Sequence, residues 1–278
     1  MVSSISKPVT RKFFQYWGYK IMIVKNEAEI EALREGGRRL AAYVKELASM
    51  VRPGVTAAEL EKRALELIAS GGDEPAFKDY KYASDKNAMP SALSISINEA
   101  IVHNPAGTSG DAIEEGDVVT VDFGIKHKGL FTDHAVTVIA GTPLDPHDEE
   151  LVRGTKEALA AGIKEAKVGN TTGDIGYAVE QIADKYGFGF PRNLSGHGVG
   201  KKVHEEPHVP NYGDKGKGVE LVEGLVIAIE PMMALGSGDL KVDLGRDGHA
   251  YRTKDGSRTA HFEHTVLITK KGPEILTQ

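Results

Sequence analysis

The sequence predicts an α+β fold built from two similar halves, each with two helices followed by antiparallel strands. Helical spacing of apolar residues occurs twice, over about 27–71 and 151–182, and strand-like segments follow both times. Two strand segments also have near copies, since 131–138 resembles 261–268 and 115–122 resembles 223–230. Helices grouped against antiparallel strands are typical of the α+β class, so we expect one domain of two related halves.

Each predicted helix begins after a capping residue or a turn. Asn26 with Glu29 resembles a capping box, and Thr56 with Glu59 forms a second one. The turn before Thr171 in the second half repeats the turn before Thr56. Four helices are therefore predicted, over about 27–51, 57–71, 151–163 and 175–182.

Apolar and alternating segments predict the strands. They are expected over 92–97, 117–125, 130–139, 225–229 and 262–269. Lys128-Gly129 turns the second of these strands into the third as a hairpin. No linker interrupts this pattern, so we expect a single domain over residues 22–278.

Residues 1–21 are predicted to be a poorly ordered N-terminal extension. They contain no acid, but they contain several basic and aromatic residues. A basic, acid-poor start with serines is also typical of organellar transit peptides, so targeting to an organelle is not excluded. A secretory signal is not expected, because Lys20 interrupts the apolar stretch.

The composition excludes several function classes. The 278 residues are 40% hydrophobic and 27% charged, as in ordinary globular proteins. A net charge of −6 argues against general binding to nucleic acid or to an anionic membrane. No apolar run reaches the roughly 18 residues of a membrane span. The absence of cysteine excludes disulfides, thiolate zinc sites and cysteine nucleophiles, and it fits the reducing cytoplasm.

Four acids at the ends of predicted strands indicate a metal site. Asp122 and Asp133 lie on the two arms of the hairpin, nearly opposite each other, and Glu230 and Glu263 are their counterparts in the second half. His197, flanked by glycines, adds one imidazole. Unpaired buried carboxylates are costly, and this set suits two divalent ions about 3.5–4 Å apart, bridged by water. Oxygen-rich ligands favour Mn, Fe or Co, with Zn also suitable.

Two further histidines occur in corresponding places of the two halves. His103 and His204 each precede the first ligand strand of their half, where they could donate hydrogen bonds to a scissile carbonyl. His134 and His264 directly follow acids on their strands, so we expect them to face the other way and to be structural. Four others are expected to be solvated: His127, His147, His208 and His261.

Six motifs resemble those of type I methionine aminopeptidase, in the same order and at the same spacing. They are Ser94–Glu99, Val102-His103, Gly196–Gly200, His204–Pro207, Ile229–Met232 and Phe262–Thr265. The likeness runs from about residue 22 to the C-terminus. It implies the pita-bread fold, with two pseudo-symmetric halves around a dinuclear metal centre. It also implies the substrate, which is the initiator methionine of a nascent chain followed by a small residue.

The resemblance also implies roles for the five candidate ligands. Asp122 would chelate one ion, His197 and Glu230 would hold the other, and Asp133 and Glu263 would bridge both. The bridging water would attack the methionine carbonyl, and Glu230 would relay its proton to the leaving amine. A monovalent cation, Na or K, would lie on backbone carbonyls near Asn98, Ala100 and Thr259.

The resemblance assigns the substrate contacts as well. His103 would contact the scissile amide and His204 the developing oxyanion. The methionine pocket would include Phe77, Tyr80, Ser94, Val203 and His249, together with Tyr82.

Several of these positions depart from the family pattern. Val203 stands where an aromatic residue is common, Ser94 replaces a frequent cysteine, Asn104 a glycine and His249 a frequent tryptophan. The segment Ala83–Pro90 resembles a small insertion beside the pocket wall. We therefore expect the chemistry to persist while the shape of the pocket differs.

Two other readings remain open at this stage. A proline-specific pita-bread peptidase would use the same five ligands, although that group usually has a large N-terminal domain. A non-catalytic pita-bread binding protein would usually have lost ligands, and this chain has all five. The favoured reading is a cytoplasmic monomer that acts on nascent N-termini, with ribosome association left open and no nucleic acid or membrane partner.

Overall fold

The structure is a computed structural model, and it describes residues 21, 23–24, 26–81, 87–107, 110, 112–242 and 249–278. The helices in this part of the chain are α1 Glu27–Met50, α2 Ala57–Gly71, α3 Pro146–Glu165 and α4 Thr172–Tyr186. All four predicted helices are confirmed. None of the helices described here is long and apolar enough to cross a bilayer.

The helix ends follow the capping chemistry of the sequence. The Thr56 side chain accepts a hydrogen bond from the Glu59 N–H, while the Glu59 carboxylate accepts one from the Thr56 N–H at 2.8 Å. α3 begins earlier than expected, because Asp145 caps it by accepting from the His147 N–H at 2.9 Å. Pro146 at the first helical position fits this start, since a proline there lacks an N–H that would go unbonded anyway.

The strands in the described residues are more numerous than predicted, because many are short. They are β1 Glu74–Pro75, β2 Leu93–Ile97, β3 Ala100–Val102, β4 Val118–His127, β5 Leu130–Ile139, β6 Ser195–Gly198, β7 Glu205–Pro210, β8 Val226–Ile229, β9 Met232–Ala234, β10 Leu240–Val242, β11 Tyr251–Thr253, β12 Thr259–His261, β13 Glu263–Thr269 and β14 Gly272–Ile275. All five predicted strands are present, and the β4–β5 hairpin turns at Lys128-Gly129 as expected.

The main sheet is antiparallel and has the order β1-β4-β5-β13-β8-β6-β7, with β2 beside β4 and β14 beside β13. A three-stranded sheet, β10-β11-β3, and the pair β12-β9 complete the described strands. The duplicated strands β5 and β13 are neighbours, with His134 opposite His264. The two halves therefore meet at the centre of the sheet.

The two faces of the main sheet differ, because one faces the apolar core and the other carries the candidate site residues. Along β4, the odd-numbered residues Val119, Val121, Phe123 and Ile125 are fully buried and belong to the same apolar cluster as α1 and α2. The even-numbered side chains, including that of Asp122, point to the other face. A second apolar cluster unites α3 and α4 with β8 and β13. Both helix pairs thus leave the opposite face of the sheet to polar groups.

His127 is buried, so the expectation that it is solvated is wrong. It is 6% exposed, and its Nδ1 lies 2.7 Å from Oδ1 of the buried Asp73. The physical reason is that successive side chains on a strand point to opposite faces of the sheet, and residue 127 continues the odd-numbered series of β4 that faces the core.

Candidate metal centre

Asp122 and Asp133 point from neighbouring strands to the same face of the sheet. They are diagonal neighbours and not opposite each other, because Asp122 pairs with Ala135 and Asp133 pairs with Gly124. The two-residue offset keeps both on one face, since side chains alternate with a period of two. Both are buried, at 6% and 2% exposure. The hairpin therefore brings two carboxylates together, although not in the register first expected.

The second half contributes three more groups to this place. Glu230 follows the last residue of β8, Glu263 is the first residue of β13, and His197 on β6 pairs with Ala228. Nε2 of His197 lies 3.3 Å from Oε1 of Glu230. Two ligands of one tetrahedral ion with bonds of about 2.1 Å are roughly 3.4 Å apart, so this spacing suits a shared ion.

The histidine has the tautomer that a ligand needs. Nδ1 of His197 lies 2.9 Å from the backbone carbonyl oxygen of Gly198. A carbonyl oxygen only accepts, so Nδ1 donates and the lone pair of the neutral ring is on Nε2, beside Glu230. Metal-binding histidines almost always donate their other ring N–H in this way.

The five residues form two overlapping groups. One ligand atom from each of Asp122, Asp133 and Glu263 lies within 4.8 Å of the others, and the same holds for His197, Glu230 and Glu263. Glu263 is common to both groups, as a bridging ligand would be. Its Oε1 is buried without a hydrogen-bond partner in the described structure, which is costly unless a cation lies there.

The electrostatics of the cluster also fit a cation. Burial raises the pKa of Asp133 to about 7. Burial and the neighbouring carboxylates hold the pKa values of Asp122, Glu230 and Glu263 well above their usual range. These acids repel one another in a desolvated site, and divalent ions would replace that repulsion by attraction.

His204 lies at the edge of the cluster, as the sequence suggested. Its ring centroid is 4.4 Å from that of His197 and 5.0 Å from that of Tyr80. It also forms a third group of ligand atoms within 4.8 Å together with Asp133 and His197. Burial lowers its pKa well below the usual value, so the ring is neutral and has one N–H to donate.

His103 sits in a loop that is held in place by hydrogen bonds. It follows β3 with a left-handed backbone, φ 57°, and its ring packs edge-on against Tyr251 at 5.7 Å. The next residue, Asn104, donates from its backbone N–H to Oγ of Ser94 at 3.2 Å and from its side chain to the Ile95 carbonyl at 2.6 Å. Ser94 is directly opposite Asp122, so it links this loop to the carboxylates.

The residues expected to line the methionine pocket differ in their burial and in their distance along the chain from the ligands. β1 pairs with β4, and the Phe77 ring packs over Gly124, where an added Cβ would lie 3.0 Å from the ring and 3.3 Å from Oδ1 of Asp133. Val203 is 1% exposed and adjoins His204. His249 is half-buried just before β11, the strand that carries Tyr251. Tyr82 and part of the Ala83–Pro90 segment lie outside the described residues.

The remaining histidines divide into two groups. His134 and His264 stack at 4.7 Å, and neither belongs to the ligand groups found in the described part of the chain, in agreement with a structural role. His147 and His208 are exposed, as expected.

His261 was expected to be solvated, and this is wrong. It is 2% exposed, and its Nε2 lies 3.5 Å from Oε2 of Glu230 and 3.9 Å from Oε2 of Glu263. A signal was available in the sequence, because residues two apart on an extended chain share a face and His261 precedes Glu263 by two.

The backbone groups expected near a monovalent cation do converge. The Asn98 and Ala100 carbonyl oxygens lie 2.8 and 2.7 Å from the Thr259 hydroxyl.

Comparison with known proteins places this arrangement in a family. The model of metallopeptidase family M24 matches residues 31–270. The chain belongs to this family. The methionine aminopeptidase of Aquifex aeolicus is 45% identical over 255 residues, which are 91% of this chain and 97% of the relative.

Solved structures agree with this membership. The crystal structure of methionine aminopeptidase from Thermotoga maritima is 40% identical, with a TM-score of 0.87, and the match covers 93% of this chain and 100% of that chain. The prolidase from Pyrococcus horikoshii is 27% identical, with a TM-score of 0.71, and the match covers 92% of this chain but 63% of the prolidase.

These comparisons confirm the family resemblance, the pita-bread fold and a metal-dependent peptide hydrolase. They also support removal of an N-terminal methionine over the alternative of proline-specific cleavage. Methionine aminopeptidases match at higher identity than the prolidase does.

Proposed function

We propose that this chain is a dinuclear-metal aminopeptidase that removes the initiator methionine from nascent polypeptides with a small second residue. The observation that carries the proposal is the buried cluster of Asp122, Asp133, Glu230, Glu263 and His197. It occurs in a chain that is similar over nearly its whole length to methionine aminopeptidases.

The five groups would divide between two ions. Asp122 would hold one ion, His197 and Glu230 the other, and Asp133 and Glu263 would bridge them. Manganese, iron, cobalt and zinc are the candidate metals, because the donors are oxygen-rich with one imidazole. When bound, the ions supply Lewis-acid activation of water and of the substrate carbonyl.

Glu230 is the residue that would move the proton. Its carboxylate is buried in the cluster, beside the place where the ions would activate water, and a positioned carboxylate can act there as a general base. Glu230 would accept a proton from the attacking water and deliver it to the leaving amine. Asn211 steadies this residue by donating from its side chain to the Glu230 carbonyl at 3.0 Å.

The two histidines would bind the substrate. His204, with its neutral ring at the edge of the cluster, would donate a hydrogen bond to the carbonyl oxygen as negative charge develops there. His103 would hold the scissile amide, in a loop that Asn104 ties to β2.

An apolar pocket would receive the methionine side chain. Phe77, packed over Gly124 beside Asp133, and Tyr80, packed against His204, support one wall. Ser94, Val203 and His249 would complete it. The pocket differs from the usual family pattern at these last three positions, so we expect a shape of its own.

Peptide hydrolysis by the metal-reconstituted enzyme tests the proposal. The protein is stripped with chelator, reloaded with cobalt(II) or manganese(II), and given Met-Ala-Ser or an X-Pro peptide. We expect free methionine from the first peptide and little cleavage of the second. Glu263→Gln should lose both activity and one or more metal equivalents, whereas Glu149→Gln, at an exposed acid on α3, should lose neither.

Each other outcome has a defined meaning. Preferential cleavage of the X-Pro peptide would identify a proline-specific peptidase instead. Two bound metal equivalents without cleavage of either peptide would identify a non-catalytic binding protein.

The remaining features of the proposal concern context. We propose that the chain works in the cytoplasm as a monomer on nascent N-termini, close to the ribosome, and that residues 22–278 form the catalytic domain. Residues 1–21 would be an N-terminal extension outside this domain. The Asn98 and Ala100 carbonyls beside Thr259 would bind a sodium or potassium ion.

A further inference from the structure

His261 lies beside the candidate metal centre but is not one of the five candidate ligands. Its backbone is held on both sides by one hydroxyl, because Oγ1 of Thr137 accepts from the His261 N–H at 2.9 Å and donates to the His261 carbonyl at 2.7 Å. The ring is 2% exposed, and neither of its nitrogens has a hydrogen-bond partner in the described structure. A buried imidazole held this firmly needs a partner for its N–H.

Among the described residues, the carboxylates within 4 Å of a ring nitrogen of His261 are those of the metal centre. Nε2 of His261 lies 3.5 Å from Oε2 of Glu230 and 3.9 Å from Oε2 of Glu263. Glu230 is therefore flanked by two imidazoles, with Oε1 toward His197 at 3.3 Å and Oε2 toward His261. Each oxygen of this carboxylate faces a different ring.

The two rings differ in the nitrogen that points away from Glu230. In His197, Nδ1 donates to the Gly198 carbonyl, which leaves Nε2 as a lone pair for an ion. In His261, Nδ1 is buried without a partner. If His261 bound the ion through Nε2, its Nδ1 would carry a buried N–H with no acceptor, contrary to the usual arrangement of metal-binding histidines. The proton of His261 is better placed on Nε2, facing the carboxylate.

We infer that His261 is a positioning residue, which donates a hydrogen bond from Nε2 to Oε2 of Glu230 and so leaves Oε1 as the oxygen that faces the ion held with His197. The inference rests on the proposed dinuclear centre and adds a residue to it. The bond would shorten from 3.5 Å when the cluster is loaded, since catalytic hydrogen bonds in unliganded sites are often long. Glu230 would then have one fixed orientation both as a ligand and as the proton carrier.

Cobalt(II) titration of metal-free protein tests this without any peptide substrate. The variants are His261→Leu, which fills the space but has no donor, and His261→Gln, which retains an N–H donor. His147→Ala is the matched control, at an exposed histidine on α3. Calorimetry gives the number of sites and their dissociation constants, and the visible spectrum of the cobalt-loaded protein reports the ligand set.

We expect His261→Leu to bind two equivalents, with the affinity of one site lowered about 10–100-fold, the usual effect of removing a residue that orients a ligand. His261→Gln should restore most of the affinity and the wild-type spectrum, and His147→Ala should match wild type. If the leucine variant does not fold, as judged by circular dichroism, His261→Ala replaces it with the same expectation.

Three results would overturn the inference. Cobalt affinity of the leucine variant within twofold of wild type would mean that His261 does not hold Glu230. Loss of one equivalent in both the leucine and glutamine variants, with a changed spectrum, would make His261 a direct ligand. Failure of wild type to bind two ions would overturn the dinuclear centre as well. If the titrations give the expected result but the peptide assay described above releases no methionine, only the proposed function is refuted.

Discussion

Replacing Asp133 by asparagine should stabilise the metal-free protein at neutral pH while abolishing the dinuclear centre. The asparagine oxygen can still accept the hydrogen bond that Oδ1 of Asp133 accepts from the His134 N–H at 3.0 Å. The substitution therefore removes a charge and changes little else. Because the carboxylate is buried among three other acids, removing its charge relieves the cost of desolvating it and the repulsion it exerts on Glu230 and Glu263, which only bound ions would otherwise offset.

The magnitude follows from the pKa of Asp133, which burial raises from 3.8 to about 7. Below the pKa of the unfolded state the carboxyl is protonated in both states and costs the folded protein nothing. As the pH rises from there through the pKa of the folded state, the folded protein loses stability. The metal-free protein should therefore weaken between about pH 4 and pH 7. A shift of about three pKa units corresponds to roughly 4 kcal/mol, which is the gain expected from Asp133→Asn at pH 8, with almost none at pH 4.

Urea unfolding in the presence of EDTA measures this gain. With a slope near 3 kcal/mol per molar urea, the midpoint of the variant should rise by about 1 M at pH 8 and remain close to wild type at pH 4. Asp239→Asn, at an exposed acid, should leave the midpoint unchanged at both pH values. With cobalt(II) in place of EDTA the order should reverse, because only wild type gains stability by binding both ions. An equal midpoint shift at both pH values, or a less stable variant at pH 8, would refute the reasoning.

The other predictions concern the substrate. His103→Ala and His204→Ala should each lower kcat by about 10²–10⁴-fold with two metal equivalents retained by elemental analysis, since both are proposed to act on the peptide; loss of an ion from the His204 variant would instead make it a ligand, in the group it forms with Asp133 and His197. Val203→Phe should raise the Met/Leu ratio of kcat/KM, because added contact area is worth about 1–3 kcal/mol of discrimination. An unchanged ratio would show that Val203 does not line the pocket.

Local signals in the sequence were sufficient for the helices and the long strands. The Thr56–Glu59 capping box and Gly72, which ends α2 in a left-handed conformation with φ 69°, set the limits of that helix. β5 has the predicted limits, because a strand-like segment follows the clear turn at Lys128-Gly129. Most strands of two to four residues, such as β1 and β12, were missed, although the four-residue β8 was predicted. Such segments are too short to have a period, and their conformation depends on pairing with distant chain.

The acids of the site could be predicted because they were duplicated, whereas the burial of His127 and His261 was missed. Neither His127 nor His261 has a histidine at the corresponding position of the other half, so the duplication gave no signal for them. Their burial follows from the face on which they lie, which requires the limits and register of β4 and of the short β12. The diagonal placement of Asp122 and Asp133 likewise follows from the hairpin register, in which His127 pairs with Leu130 across a two-residue turn.

The pairing of β5 with β13 explains why the two halves must meet in a single register. On one face, His134 and His264 stack at 4.7 Å. On the other face, Asp133 and Glu263 enter the carboxylate cluster. A slip of one residue in either strand would exchange these faces and bring an acid into the apolar layer. Thr265 opposes such a slip, because its hydroxyl donates to the Asp133 carbonyl and accepts from the Asp133 N–H, both at 2.8 Å. The repulsive cluster is therefore held together by the uncharged face behind it, and the geometry needed for two ions can exist before they bind.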